Sequence, residues 1–212
     1  MRGNTTMIPY KYLNRTVAKA LYHALTPDPF YKVLERNSFS NLDAAREAMF
    51  KYYDYSMAEA QEYGRLTFTP DGTAGAAIWS IPLPQEFQQK ISEKKKDFIF
   101  SHLGKKSLDV YTKITVFMDR QIWDVVPTDA WYLSILGILP ERQGEGLGKK
   151  VMTPVLREAD EQGVVVFAES FTPKNFGFYR RLGFETAKTV DEPITESQYT
   201  VLVRSAGSEY ER

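Results

Sequence analysis

The run Arg142-Gln-Gly-Glu-Gly-Leu-Gly-Lys-Lys150 constrains this chain more than any other feature. It follows a nearly continuous apolar stretch, Trp131–Leu139, and precedes a segment of about 15 residues with helical apolar spacing that ends at Gln162-Gly163. A buried strand, a glycine-rich turn and a helix in that order form a geometry that holds phosphate. Glycines let the backbone approach the anion, and the start of the helix offers unpaired N–H groups and a positive dipole end. Gly144, Gly146 and Gly148 stand at that junction, and Arg142, Lys149 and Lys150 add positive charge.

Two familiar nucleotide loops fail on spacing. A Walker A loop needs G-x-x-x-x-G-K-[ST]. Gly144 and Gly148 are one residue too close for it, and Lys150 stands where Ser or Thr is required. A dinucleotide fingerprint needs G-x-G-x-x-G. Its third glycine would fall on Lys149 or on Val151, although Glu169 lies about where that fold places its ribose-binding acid.

The spacing Gln143-x-x-Gly146-x-Gly148 after a Leu-Pro step resembles motif A of the GNAT superfamily of N-acetyltransferases. Downstream, Asn175-Phe-Gly-Phe178-Tyr179-Arg-Arg-Leu182-Gly183-Phe184 resembles the same family's motif B. Trp131-x-Leu133 with Ile138, Pro140-x-x-Gln143, and Glu169-Ser-x-x-Pro173-x-Asn175 are similar to the puromycin N-acetyltransferase-like branch, over about residues 130–185. The resemblance implies an α/β (α+β) acetyltransferase fold, with a central mixed, mostly antiparallel twisted sheet flanked by helices. It implies acetyl-CoA as cofactor and no metal. Gln143, Gly144, Glu145, Gly146, Leu147, Gly148 and Lys149 would hold the pyrophosphate, with Arg142 beside them. Asn175 would contact the pantetheine arm, and Phe178 would pack beside the cofactor. Tyr179 would be the general acid toward the departing thiolate, with packing as its competing role. In the family the strand before the loop bulges and a backbone N–H there meets the thioester carbonyl. Gly137 is the bulge marker and Ile138 the expected oxyanion donor.

The chemistry also needs a base, because a protonated amine is not a nucleophile. Glu169 is the best candidate, with capping of the next turn as its rival role; Glu141 and Asp129 are weaker. Direct transfer in a ternary complex needs no covalent intermediate, which suits a chain with no Cys. The expected reaction is acetylation of a primary amine on a small molecule. The alternatives are acetylation of protein or peptide amines, and a coenzyme A-binding module without transferase activity.

The rest of the chain bounds partners and layout. Lys+Arg and Asp+Glu are both 27, and this neutral balance argues against general nucleic-acid binding. Only His23 and His102 are available as imidazole ligands. No apolar run reaches the ~20 residues of a membrane span. These features suit a cytoplasmic monomer or homodimer. Residues 1–27 are basic without an acid, as in a transit peptide, but Val17, Ala20, Leu21, Ala24 and Leu25 have the spacing of a domain helix. An extended piece is expected at Ile8–Tyr12, helices at about 15–25, 42–60, 85–103 and 105–120, and a hairpin turn at Asp71-Gly72. Pro27 and Pro29 should break the first helix, and Ser40-Asn-Leu-Asp43 should cap the second. Phe87, Ile91 and Phe98 should point inward, whereas the Lys94–Lys96 run should be a solvated face. Phe184–Val190 and Tyr199–Val203 are closing strands. One domain is expected over 1–204, with an acceptor side at 1–125, cofactor motifs at 130–190 and a tail at 205–212. Tyr52, Tyr53, Tyr55, Phe68 and Trp79 enrich the first half in aromatics, mostly for packing.

Overall fold

Strands β1 (Arg65–Phe68), β2 (Gly75–Ser80), β3 (Trp131–Ile138), β4 (Val166–Ser170), β5 (Glu185–Glu192) and β6 (Ser197–Arg204) join in one sheet. The structure, a computed structural model, describes residues 10–208. The extended piece at Ile8–Tyr12 lies partly, and the end of the tail wholly, outside those residues. The strand order is β1-β2-β3-β4-β6-β5. Every neighbouring pair is antiparallel except β3 and β4, which are parallel. Parallel neighbours need a crossover; here it is helix α6 (Leu147–Gln162). The expected mixed, mostly antiparallel sheet is therefore present.

Helices cover both faces. On one side α1 (Arg15–Leu25) and α3 (Leu42–Tyr63) bury Val17, Leu21, Met49 and Met57 against Ala76, Ile78 and Ile135. On the other, α6 and the short α7 (Phe176–Arg181) bury Val151, Val155 and Tyr179 against Ala77, Trp79 and Leu133. The remaining helices, α2 (Pro29–Arg36), α4 (Gln85–Leu103) and α5 (Lys105–Ile122), close the side of the first cluster. No helix of the described residues is long and apolar enough to cross a membrane.

Leu133 and Ile135 face opposite clusters although they are two residues apart. A regular strand would put them on one face. The register explains it: Ile78 pairs with Ile135 and Trp79 with Leu133, so Ser134 is an extra residue. The β3 bulge thus sits at Ser134, not at Gly137 as expected. Ser134 donates its hydroxyl to the Ile78 carbonyl at 3.0 Å. Gly137 is a glycine for another reason. A Cβ there would come 2.8 Å from Leu21 Cδ2 and 3.2 Å from Ala24 Cβ, because α1 lies directly on the strand.

Four other expectations are corrected. Pro29 does not merely end α1; it opens α2, where its missing N–H and fixed φ cost nothing. Asp28 caps that helix by accepting from the Phe30 N–H at 2.9 Å. Asn41, not Ser40, caps α3, by accepting from the Ala44 N–H. Phe87 is exposed, because the first half of α4 stands away from the core. Lys95, in the middle of the run expected to face solvent, is buried.

Candidate active site

The pairing of β3 with β4 stops at Leu133 and Ala168. Beyond that point the two parallel strands have no ladder between them. The orientation of β3 in this gap follows from its bonds to β2. The Leu139 N–H donates to the Ala74 carbonyl at 2.7 Å. Antiparallel strands alternate, so the N–H and C=O of Ile138 and of Leu136 point away from β2, into the opening toward β4. The Gln143 side chain agrees with this, donating to the Ile138 carbonyl at 3.0 Å. Gln143 is thereby a strut between loop and strand.

The loop itself is built as its glycines require. Gly144 and Gly146 have φ of 88° and 73°. That left-handed region is open to glycine and strained for most other residues. Gly146 precedes α6 as its N-cap with no side chain capping the helix. The first-turn amides of Leu147, Gly148 and Lys149 therefore start a helix whose end carries only backbone. Gly148 is set by packing: a Cβ would lie 3.0 Å from Phe178. Phe178 thus seats α7 on the first turn of α6. Asn175 is exposed, in the turn that leads into α7.

Arg142 occupies a place its charge alone did not indicate. Its guanidinium holds both carboxylate oxygens of Glu145 and reaches Asp71 at 2.7 Å. Asp71 lies in the β1–β2 turn, where the Thr69 hydroxyl, the Thr73 N–H and Arg142 hold its carboxyl well below the usual range. Arg142 and Glu145 therefore brace the glycine loop against the neighbouring hairpin.

On the β4 side a cavity of about 820 Å³ opens, walled by α2 to α5 as well as β3 and β4. Its walls are largely aromatic, with Tyr31, Tyr52, Trp79, Tyr111, Tyr132 and Phe167 among them. Four carboxyl groups line it: Asp28, Glu59, Asp119 and Glu169. Glu169 stands on β4 just past the last β3 pair, and its Oε1 is buried without a protein partner. Burial pushes its carboxyl up to about 7, with Tyr132 opposing and Asp119 adding to the rise. Burial likewise lifts Asp28 to about 6 against the pull of two backbone N–H groups, and raises Asp119. Glu141 is exposed beside the loop and Asp129 is exposed, and neither lines this cavity. Tyr179 is buried behind the wall, close enough to Asp28 and Tyr31 to interact with both. Burial, then Asp28, raises its phenol, so it stays protonated across the ordinary pH range.

Strand, loop and cavity meet a matching family. Residues 114–186 match the acetyltransferase (GNAT) domain, from the second half of α5 to the start of β5. Over that stretch the chain is similar to the GNAT acetyltransferases. The enzyme class that goes with this domain is acetyl-CoA-dependent N-acetyl transfer. Solved structures extend the likeness beyond the domain match. A Corynebacterium glutamicum protein described as histone acetyltransferase HPA2 and related acetyltransferase is 15% identical, with 95% of this chain and 96% of that one covered at a TM-score of 0.60. A mosquito arylalkylamine N-acetyltransferase-like protein is 12% identical over 90% and 93%, with a TM-score of 0.56. A Drosophila melanogaster polyamine N-acetyltransferase is 15% identical over 92% and 98%, with a TM-score of 0.52. At these identities the likeness is one of fold.

The GNAT motifs account for the loop, β4 and α7, but several cavity residues carried no sequence signal. Glu59, Lys95 and Asp119 come from α3, α4 and α5, and Asp28 from the turn before α2, all within the first 122 residues. Lys95 donates to Ser56 Oγ at 2.7 Å and lies 3.6 Å from Glu59 Oε1. Burial pulls its ammonium below its ordinary value, and Glu59 pulls it back up. Its position in a basic run concealed it, since only tertiary packing separates it from Lys94 and Lys96. Among the described residues no group of three His, Asp or Glu could hold a metal ion.

Proposed function

We propose that this protein transfers an acetyl group from acetyl-CoA directly to the primary amine of a small, cationic acceptor bound in the aromatic cavity. The single observation that carries this reading is Glu169. It is a carboxylate at the parting of β3 and β4, raised by burial to about 7, with an unpartnered oxygen on the cavity wall. A base poised near neutral pH is ionised at the working pH and accepts a proton more readily than an ordinary carboxylate does. The walls support the acceptor class, because carboxylates and aromatic faces both attract an ammonium group.

In the proposed ternary complex the backbone from Gly144 to Lys149, at the start of α6, would hold the pyrophosphate, while Gln143, whose N–H donates to the Pro140 carbonyl, braces the loop. Asn175 would contact the pantetheine arm, and the gap between β3 and β4 would admit its thioester end. Bound there, acetyl-CoA supplies the thioester that the amine attacks. The Ile138 N–H, with that of Leu136 beside it, donates to the thioester oxygen as charge develops. Glu169 removes the amine proton, and Tyr179 gives a proton to the departing thiolate sulfur. Phe178 keeps α7, and so Tyr179, in register with α6. One domain then holds both substrates, with residues 1–125 shaping the acceptor side and 130–190 the cofactor side.

Purified protein should release coenzyme A from acetyl-CoA with members of an amine panel that includes alkylamines, arylalkylamines and puromycin. Binding of acetyl-CoA without turnover of any amine would favour the coenzyme A-binding module. Turnover of peptide amines alone would favour a protein substrate. In thermal melts acetyl-CoA should stabilise the protein and NAD should not, because only a ligand of the native state raises Tm; the reverse pattern would overturn the loop assignment.

Gly146→Val tests the loop itself. A Cβ in left-handed backbone costs about 1–2 kcal/mol, so a loop that relaxes away from this shape should bind acetyl-CoA roughly tenfold more weakly. Calorimetric titration checks it, and unchanged affinity would remove Gly146 from the site.

A further inference from the structure

Lys95 is an alkylammonium held as a ligand would be. Its Nζ lies 4.9 Å from the ring centres of both Tyr52 and Tyr55. Ser56 Oγ accepts from it at 2.7 Å, and Glu59 Oε1 is 3.6 Å away. Two aromatic faces, a hydroxyl and a carboxylate are the chemistry that captures a cationic amine. The side chain reaching into this cage belongs to the protein, from α4, and the cage belongs to α3. Tyr52, Ser56, Glu59 and Lys95 all stand on the cavity wall, and Glu59 Oε2 is buried with no protein partner.

We propose that Lys95 is a specificity residue that occupies the cavity's second ammonium site, so that the enzyme takes monoamines with an uncharged tail and rejects diamines. This rests on the amine-acetylating function proposed above and names the acceptor within it. On the β4–α5 wall, Glu169 and Asp119 remain to receive the reacting amine. On the α3–α4 wall, Glu59 is neutralised by Lys95, and a second ammonium arriving there meets a like charge. Asp28 is engaged in capping α2 through the Phe30 N–H. An acceptor with an anionic tail is disfavoured as well, since Asp28, Asp119 and Glu169 share the cavity with Lys95. The residue discriminates by repulsion and by prior occupation, a form of selectivity that needs no contact with the preferred substrate.

The test compares hexylamine with hexamethylenediamine, which differ only by the second amine. Wild type should favour hexylamine in kcat/KM by roughly tenfold or more. Lys95→Met empties the cage and should shrink or reverse that ratio. Lys95→Met combined with Glu59→Gln should restore the monoamine preference, because the carboxylate that would hold the second ammonium is gone. Lys95→Gln keeps a donor for Ser56 and serves if Lys95→Met does not fold. Wild type that uses both amines equally, or a folded charge-removing variant with an unchanged ratio, overturns the proposal. Thermal melts with each amine in the presence of coenzyme A separate it from the activity. If no amine is acetylated, the proposed function fails; if hexylamine alone still stabilises wild type and the diamine stabilises Lys95→Met, the selectivity stands.

Discussion

Glu169→Gln should lower kcat/KM for amine acetylation by about 10²- to 10⁴-fold, the usual range for removing a positioned base. The sign of the pH effect follows from the direction of the shift. As the proposed base Glu169 would work only when ionised, and its carboxyl is raised to about 7 by burial. Wild-type kcat/KM should therefore fall about tenfold per pH unit below that value, and this acid limb should vanish in the variant, leaving a low, flatter profile. Stability should move the other way. A group whose folded pKa is raised favours the fold below its unfolded value and loses that contribution as pH rises through the folded one. Glutamine cannot ionise, so the variant should gain Tm relative to wild type at pH 8.5 and show less gain at pH 6. A variant of unchanged activity, or one whose acid limb persists, would sink the assignment of Glu169 as base.

The second large effect is on stability. Gly137→Val should cost roughly 3 kcal/mol, near the upper end for overpacking a tight interior contact. The change should appear as a Tm lower by roughly 10 °C in a chain of this size. Leu21 is fully buried, and α1 rests on β3 where Gly137 has no side chain. An added Cβ would approach Leu21 Cδ2 at 2.8 Å and Leu21 Cα at 3.5 Å, and valine brings two further methyl groups. Alanine should cost less, because the Leu21 side chain can turn aside for one methyl. Denaturant midpoints for both variants would check the order, and a neutral Gly137→Val would contradict the contact. If Gly137 marked a strand bulge instead, alanine and valine would be penalised for backbone reasons and to similar extents.

Glu169 and Gly137 differ in how much of their role is local. Glu169 stands out as a candidate in the sequence because it sits a fixed distance along a local pattern, strand to turn to short helix, in which Pro173, Asn175 and Tyr179 also keep their spacing. Gly137 stands out in the strand and its local reading is a bulge, but the bulge lies three residues earlier at Ser134. Nothing in the strand's own pattern reports that a helix from residues 15–25 lies across it. Arg142 is a similar case. Its charge beside three glycines suggested an anion ligand, whereas in the fold Asp71 and Glu145 claim its guanidinium.

By itself the sequence determined the glycine loop, the strand before it and the helix after it. It also determined the class of cofactor chemistry that such a loop serves. Those features depend on left-handed φ at Gly144 and Gly146, on backbone amides at a helix start and on short-range spacing, all of which are local properties of the chain. The tertiary structure alone decided the aromatic cavity, the buried cage around Lys95 and the true site of the β3 bulge. Each of these arises where elements far apart in sequence come into contact, and burial, not residue type, gives Glu169 its near-neutral carboxyl and takes Lys95 out of a solvated run.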